Sequence, residues 1–271
     1  HMEERLGGAG AVAMLCASLG GETTLVAPGS PHSPAERLLG DAGVQWRRDR
    51  PPSRLSAKQR LVCGGRLLHD RTDVNEFSSQ PVDSHLPVGA PPVAVILVAD
   101  HGLGAIGPQT LAALRRLHPK TPIVVDPARG ADWRQYCGAT IIKCNAAEAK
   151  AARAKQADAR AELALAHLIV TDGADGMTLD GQPIAAERSQ VVDVTGAGDT
   201  VLAVLGLCLA RGIELQNACR FANRAAALQV GKLGVQPVTW DEILQLRPHP
   251  AHDAFEEWVS EFRRRWVSGA A

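Results

Sequence analysis

The apolar positions of the chain fall into short runs whose spacing alternates between helical and strand-like. Residues 10–19 carry small and apolar side chains with little interruption, which predicts a buried helix, and after Gly20-Gly21 a strand is expected at 24–27. Residues 58–63 and 66–69 read as two strands of a projecting hairpin turned at Gly64-Gly65. Near-continuous apolar runs at 93–99, 123–125, 140–143 and 168–171 alternate with helical spacing at 108–117 and from Ala146. That order predicts a doubly wound α/β fold, a mostly parallel sheet with helices on both faces. A Gly-rich hairpin near 177–183 precedes two helices, 199–211 and 214–230, with Gly212 and Gly231 where helices stop. Farther on, Phe255, Trp258, Val259, Phe262 and Trp266 share one helical face, a stripe that predicts packing on the body.

Composition narrows the chemistry. A chain of 271 residues with 45% hydrophobic content can bury one large core, so one principal domain is expected. Lys plus Arg number 29, as do Asp plus Glu, and the two signs are interspersed, which leaves no broad footprint for nucleic acid or an anionic membrane. Cys16, Cys63, Cys137, Cys144, Cys208 and Cys219 form no Cys-x-x-Cys pair, so neither a disulfide framework nor a zinc knuckle is suggested and a reducing cytoplasm is expected. No apolar run is long enough to span a bilayer. The remaining class is small-molecule chemistry.

The most informative segment is Asp193-Val-Thr-Gly-Ala-Gly-Asp199-Thr200, between an extended stretch at 190–192 and an apolar helix. Glycines at 196 and 198 let the backbone approach an anion, and free amides at a helix start carry partial positive charge. Asp199 in the first turn is either a helix cap or, beside a transferring phosphoryl group, a base for an attacking hydroxyl. A tight turn with a capping aspartate would explain a lone Gly-x-Gly; the eight-residue string is more specific.

That string resembles the signature of the ribokinase-like (PfkB) carbohydrate kinases. Leu6-Gly-Gly-Ala-Gly-Ala-Val-Ala-Met-Leu-Cys-Ala-Ser-Leu-Gly20 is similar to the family's N-terminal Gly-Gly motif. Val125-Asp-Pro127, Asn145-Ala-Ala-Glu148, Val170-Thr-Asp-Gly173 and Phe221-Ala-Asn-Arg-Ala-Ala226 fall in its order and spacing. The likeness covers nearly all of residues 3–240, the remainder from 241 being expected as a helical extension. It is nearest to the kinase half of the bacterial heptose synthesis enzymes, through Glu3-Glu-Arg-Leu-Gly-Gly8, Tyr136-Cys-Gly-Ala-Thr140 and Val230-Gly-Lys-Leu-Gly234.

The resemblance implies ATP-dependent phosphorylation of D-glycero-D-manno-heptose 7-phosphate at its anomeric oxygen. It implies Asp199 as base and the amides of Gly196, Ala197 and Gly198 as stabilisers of phosphoryl charge. Asn145 and Glu148 would organise magnesium, largely through water. Thr171, Gly173 and Gly176 would line the nucleotide, and Ala222, Asn223 and Ala226 an adenine slot. Asp193 and Thr195 would add backbone oxygens to a monovalent cation site for potassium. On the acceptor side stand Gly7, Gly8, Asp100, Arg129, and Lys58 and Arg60 on a lid hairpin of about residues 54–72.

Two departures fall on the acceptor side. The family's first strand and its sugar-binding aspartate have no counterpart ahead of the Gly-Gly motif, and Ala11 replaces an Asn. Open alternatives are therefore a kinase for another sugar or a nucleoside, or a nucleotide-binding homologue with weak or lost activity. The missing strand predicts a homodimer that covers the sheet edge through the lid. No nucleotidyltransferase string follows residue 240, so a kinase-only protein is expected.

Overall fold

The computed structural model describes residues 4–29, 33–49, 56–63, 66–75, 82, 86, 92–153, 158–187, 189–246 and 255–267, with backbone only for the hairpin within 56–75. Helix α1 (Gly8–Ser18) leads into β1 (Thr24–Pro28), α2 (Pro34–Asp41) and β2 (Gln45–Asp49), and β1 and β2 pair in parallel. The hairpin β3 (Ser56–Cys63) and β4 (Arg66–Asn75) forms an antiparallel sheet of its own, somewhat longer than expected.

The main sheet is built from β5 (Ile96–Ala99), β6 (Ile123–Asp126), β7 (Ile141–Asn145), β8 (His167–Thr171), β9 (Met177–Leu179) and β10 (Gln182–Ile184), in the order β10-β9-β8-β7-β6-β5. β5 to β8 are parallel and β9 and β10 antiparallel. Short apolar strands flanked by helices bury both faces of such a sheet. α3 (Thr110–Leu117), α4 (Ala146–Arg153) and α5 (Ala159–Glu162) supply one layer. α1, α6 (Ala197–Ala210) and α7 (Leu215–Gln229) supply the other. Among the described residues the sheets do not join: β5 pairs with β6 alone, and β1 with β2 alone.

α8 (Trp240–Gln245) and α9 (Phe255–Val267) pack on the α6/α7 layer. Trp258, Val259 and Phe262 are buried as their spacing predicts, while the Phe255 side chain lies outside the described residues. Phe221 of α7 meets Trp258 edge-on at 4.7 Å, and Trp240 lies 4.5 Å from Phe262 while its indole N–H donates to the Leu19 carbonyl at 2.8 Å. Aromatic contacts of this kind add to plain area burial.

Apart from β4, which runs six residues past its expected end, the element limits follow the expected pattern closely, with two exceptions. The first apolar strand begins at Ile96, three residues late, because Val93 is exposed ahead of it. Helix α7 stops before Gly231 without a left-handed residue there, whereas Gly212 does turn left-handed, φ 66°, after α6.

A fully buried ion pair fastens this layer. Arg224 Nη1 meets Glu187 Oε1 at 2.8 Å with side-chain exposures of 0% and 1%, and Arg224 also donates to the carbonyls of Ile243, at 2.7 Å, and Leu246. Burial disfavours the guanidinium charge, and Glu187 offsets that. Removing one partner of such a pair strands the other. Arg224→Met is therefore expected to destabilise the fold by about 3 kcal/mol in urea denaturation, and adding Glu187→Leu to recover much of that loss.

Candidate active site

The carboxyl ends of the parallel strands lie side by side: Ala99 of β5 pairs with Asp126 of β6, and Asn145 of β7 with Thr171 of β8. Open α/β sheets bind ligands outside these ends. Onto this edge the chain brings the start of α6.

The loop before α6 is shaped by its own side chains. Asp193 Oδ1 accepts from the Thr195 amide and Oδ2 from the Gly234 amide, each at 2.9 Å, so one carboxylate laces the loop to a segment beyond α7. Gly196 then takes the left-handed conformation, φ 80°, as the residue that opens α6. A Cβ there would stand 2.6 Å from Val235 Cγ2, so both conformation and space require glycine. The first intrahelical bond of α6 runs from the Thr200 amide to Gly196 O at 2.9 Å. Amides ahead of it, Gly198 among them, have no acceptor within the helix and sit at the dipole's positive end, the Ala197 amide making a long bond to Val194 O at 3.4 Å. Asp199 lies half-buried in this same first turn.

A residue that sequence reasoning missed stands beneath the loop. Lys143 of β7, only 4% exposed at its side chain, donates from Nζ to Asp126 Oδ2 at 2.6 Å and to Gly198 O at 3.3 Å. Its signal was a lysine inside an otherwise apolar strand, which is rare unless the charge is paired. Lys143 thus joins the ends of β6 and β7 to the loop. His101 was also missed: its ring packs over Gly8, where a Cβ would fall 2.8 Å from Cδ2, and Gly8 has φ 55°. Val191, Val192 and Val194 expose apolar faces on the run into the loop, 64%, 58% and 70% accessible.

Several expected roles change. Asp100 is buried, its Oδ1 accepting from the Gly102 amide at 2.8 Å and its Oδ2 from the Tyr136 hydroxyl at 2.7 Å, so the carboxylate is spent inside the protein instead of facing a sugar. Burial pushes the Tyr136 hydroxyl well above its usual range, which keeps it a donor. Asn145 and Glu148 form a reciprocal cap, the Asn145 amide donating to Glu148 Oε2 and the Glu148 amide to Asn145 Oδ1, both at 2.9 Å. Thr171 donates its hydroxyl to Cys144 O at 3.2 Å.

Gly176 is a packing position rather than a phosphate contact, since a Cβ would fall 2.3 Å from Ile184 O. Ala222 is sealed in the core, and Asn223 spends its amide on the carbonyls of Ile184 and Ala185, both at 3.1 Å, so neither opens an adenine slot. Ala226 stays half-buried, and Gly173 is exposed with open space around it. The Asp193 side chain is a loop brace, for the two bonds given above.

Arg129 is exposed on the loop after β6, and Gly7 is the extended residue that opens α1. The side chains of Lys58 and Arg60 lie outside the described residues. Ala11, as its apolar character requires, is buried in α1.

A mostly parallel sheet with a glycine loop and helix start over its carboxyl edge makes this an α/β protein with a helix N-terminus at the edge where such sheets take ligands. The pattern described as pfkB family carbohydrate kinase matches residues 103–242, more than half of the chain, and the chain belongs to that family. It is 37% identical to the bifunctional protein HldE of Nitrosococcus oceani over 92% of this chain and 57% of that protein, and 35% identical to HldE of Halorhodospira halophila over 89% and 55%. The chain thus spans a little over half the length of these curated relatives.

Solved structures share the fold at lower identity. A Burkholderia thailandensis nucleoside kinase in complex with inosine superposes with TM-score 0.68 at 24% identity, covering 90% of this chain and 87% of that one. A Vibrio cholerae fructokinase double mutant bound to fructose, ADP and potassium gives 0.69 at 18%, covering 91% and 92%. Among the described residues no helix is long and apolar enough to cross a membrane.

Gly196→Ala tests the loop as described. Strain in the left-handed conformation and the contact with Val235 are expected to lower stability by about 2 kcal/mol in urea unfolding, an effect that an extended residue at this position would not give.

Proposed function

We propose that the chain transfers the terminal phosphoryl group of ATP to a hydroxyl of a sugar or sugar phosphate. D-glycero-D-manno-heptose 7-phosphate is the favoured acceptor, giving the 1,7-bisphosphate. The observation that carries the reading is the loop at 193–199: a left-handed Gly196, amides without intrahelical acceptors at the start of α6 and Asp199 in the same turn, over the carboxyl edge of the sheet. There the amides of Gly196, Ala197 and Gly198 would stabilise charge on the moving phosphoryl group, and Asp199 would take the proton of the attacking hydroxyl at a carboxylate oxygen. Lys143 would act through position, holding Asp126 and the Gly198 carbonyl so that the loop keeps its aim. The relatives named HldE support the heptose acceptor.

Magnesium, when bound with ATP, would neutralise phosphate oxygens. The residues fit it in part: Glu148 commits Oε2 to its cap, which leaves Oε1 to accept from water around a phosphate-held ion. A second reading is a nucleotide-binding homologue with weak transfer activity. It is favoured by the acceptor side, where Ala11 is buried and Asp100 is turned inward. A nucleoside acceptor is a third outcome of the same test. The outer edge of β5 and the β3–β4 hairpin are where a second copy would pair.

The test is ADP release with a panel of sugars, sugar phosphates and nucleosides. Turnover with the heptose phosphate is expected to fall by about 10³-fold in Asp199→Asn while ADP binding stays close to that of the unaltered protein. Turnover unaffected by that substitution would remove Asp199 from its role, and ADP binding without transfer to any acceptor would favour the second reading.

A further inference from the structure

The family likeness implies a monovalent cation drawing on backbone oxygens of Asp193 and Thr195, but in the structure a side chain takes up one of these, Thr195 O. Gln229, the last residue of α7, is completely buried. Its Nε2 donates to the carbonyl oxygens of Thr195, at 3.3 Å, and Gly234, at 2.7 Å, and its Oε1 faces the Gln236 amide at 3.4 Å. A primary amide has two N–H donors on one side and an acceptor oxygen on the other. These surroundings admit one orientation, because a flipped amide would set its oxygen against two carbonyl oxygens and its donors against an N–H.

The two carbonyls lie on the segments that Asp193 laces through the amides of Thr195 and Gly234. A potassium ion drawing on the same two oxygens would have to stand where Nε2 stands, against two N–H dipoles turned the same way. The nearby Lys232 ammonium is engaged elsewhere, with Pro237 O at 2.8 Å and Glu242 at 3.0 Å. The residues present therefore do not fit a cation at this place.

We propose that the Gln229 amide substitutes for the monovalent cation, binding the Thr195 and Gly234 carbonyls together so that the loop at 193–199 holds its shape without potassium. The inference takes that loop as the nucleotide phosphate site and adds what keeps it in form. Gln229 touches no substrate; it is a positioning residue that acts through backbone carbonyls. Two neutral donors give a directional tie with no charge to bury, which a cation in the same place would bring.

The experiment compares ADP affinity by calorimetry and melting temperature in potassium chloride and in tetramethylammonium chloride at equal ionic strength. The unaltered protein is expected to show the same values in both salts. Gln229→Ala vacates the place, and Gln229→Glu sets a carboxylate against two carbonyls. Each variant is expected to bind ADP roughly tenfold more weakly in tetramethylammonium, with potassium restoring both affinity and melting temperature.

A potassium-selective gain in either readout for the unaltered protein would overturn the proposal, and that arm needs no variant to fold. So would variants that match the unaltered protein in tetramethylammonium. Failure of the unaltered protein to bind ADP would instead remove the nucleotide reading. The melting comparison between salts would then still decide whether the amide replaces the ion.

Discussion

A loop that offers its amides outward has to be held by something other than those amides. Here the burden falls on a lattice of side chains bonded to backbone: Asp193 to the amides of Thr195 and Gly234, Gln229 to the carbonyls of the same two residues, and Lys143 to the carbonyl of Gly198. Apart from the Asp193–Thr195 bond inside the loop, these ties reach other elements, so the helix start keeps its direction because α7, the segment after it and β7 all fix it. In an enzyme that relies on placed dipoles, rigidity of this kind is what lets them act on charge without first rearranging.

Much of the fold was legible in the chain. The alternation of short apolar strands with helical stretches gave the parallel order and the two covered faces, since period and length are local properties. The elements that escaped, α2, β2, α5 and α8, are short or amphipathic and draw their definition from neighbours: Leu39 and Val44 are buried only because α1 and β1 lie against them. Trp240 likewise opens α8 under a Thr239–Glu242 capping box.

The site was legible by kind more than by role. The string at 193–199 gave the turn, the helix start and the carboxylate. It could not say which polar groups would be consumed within the fold, because that depends on partners far away in sequence. Asp100 is satisfied by Tyr136, Asn223 by the end of β10, and Lys143 by Asp126. A polar residue named from a motif is thus a candidate for chemistry only after its internal bonds are counted, and Asn145 and Glu148 illustrate the intermediate case of a cap that also lines the edge.

The aromatic packing of α9 has a consequence for how the molecule comes to exist. Trp258, Val259 and Phe262 share one core with residues of α1, α6 and α7, so that core stays open on one side until α9 has been synthesised. A nascent chain halted before it would leave exposed the flank of α7 on which Trp258 and Phe262 pack against Phe221, apolar surface of the kind that makes incomplete chains prone to aggregate.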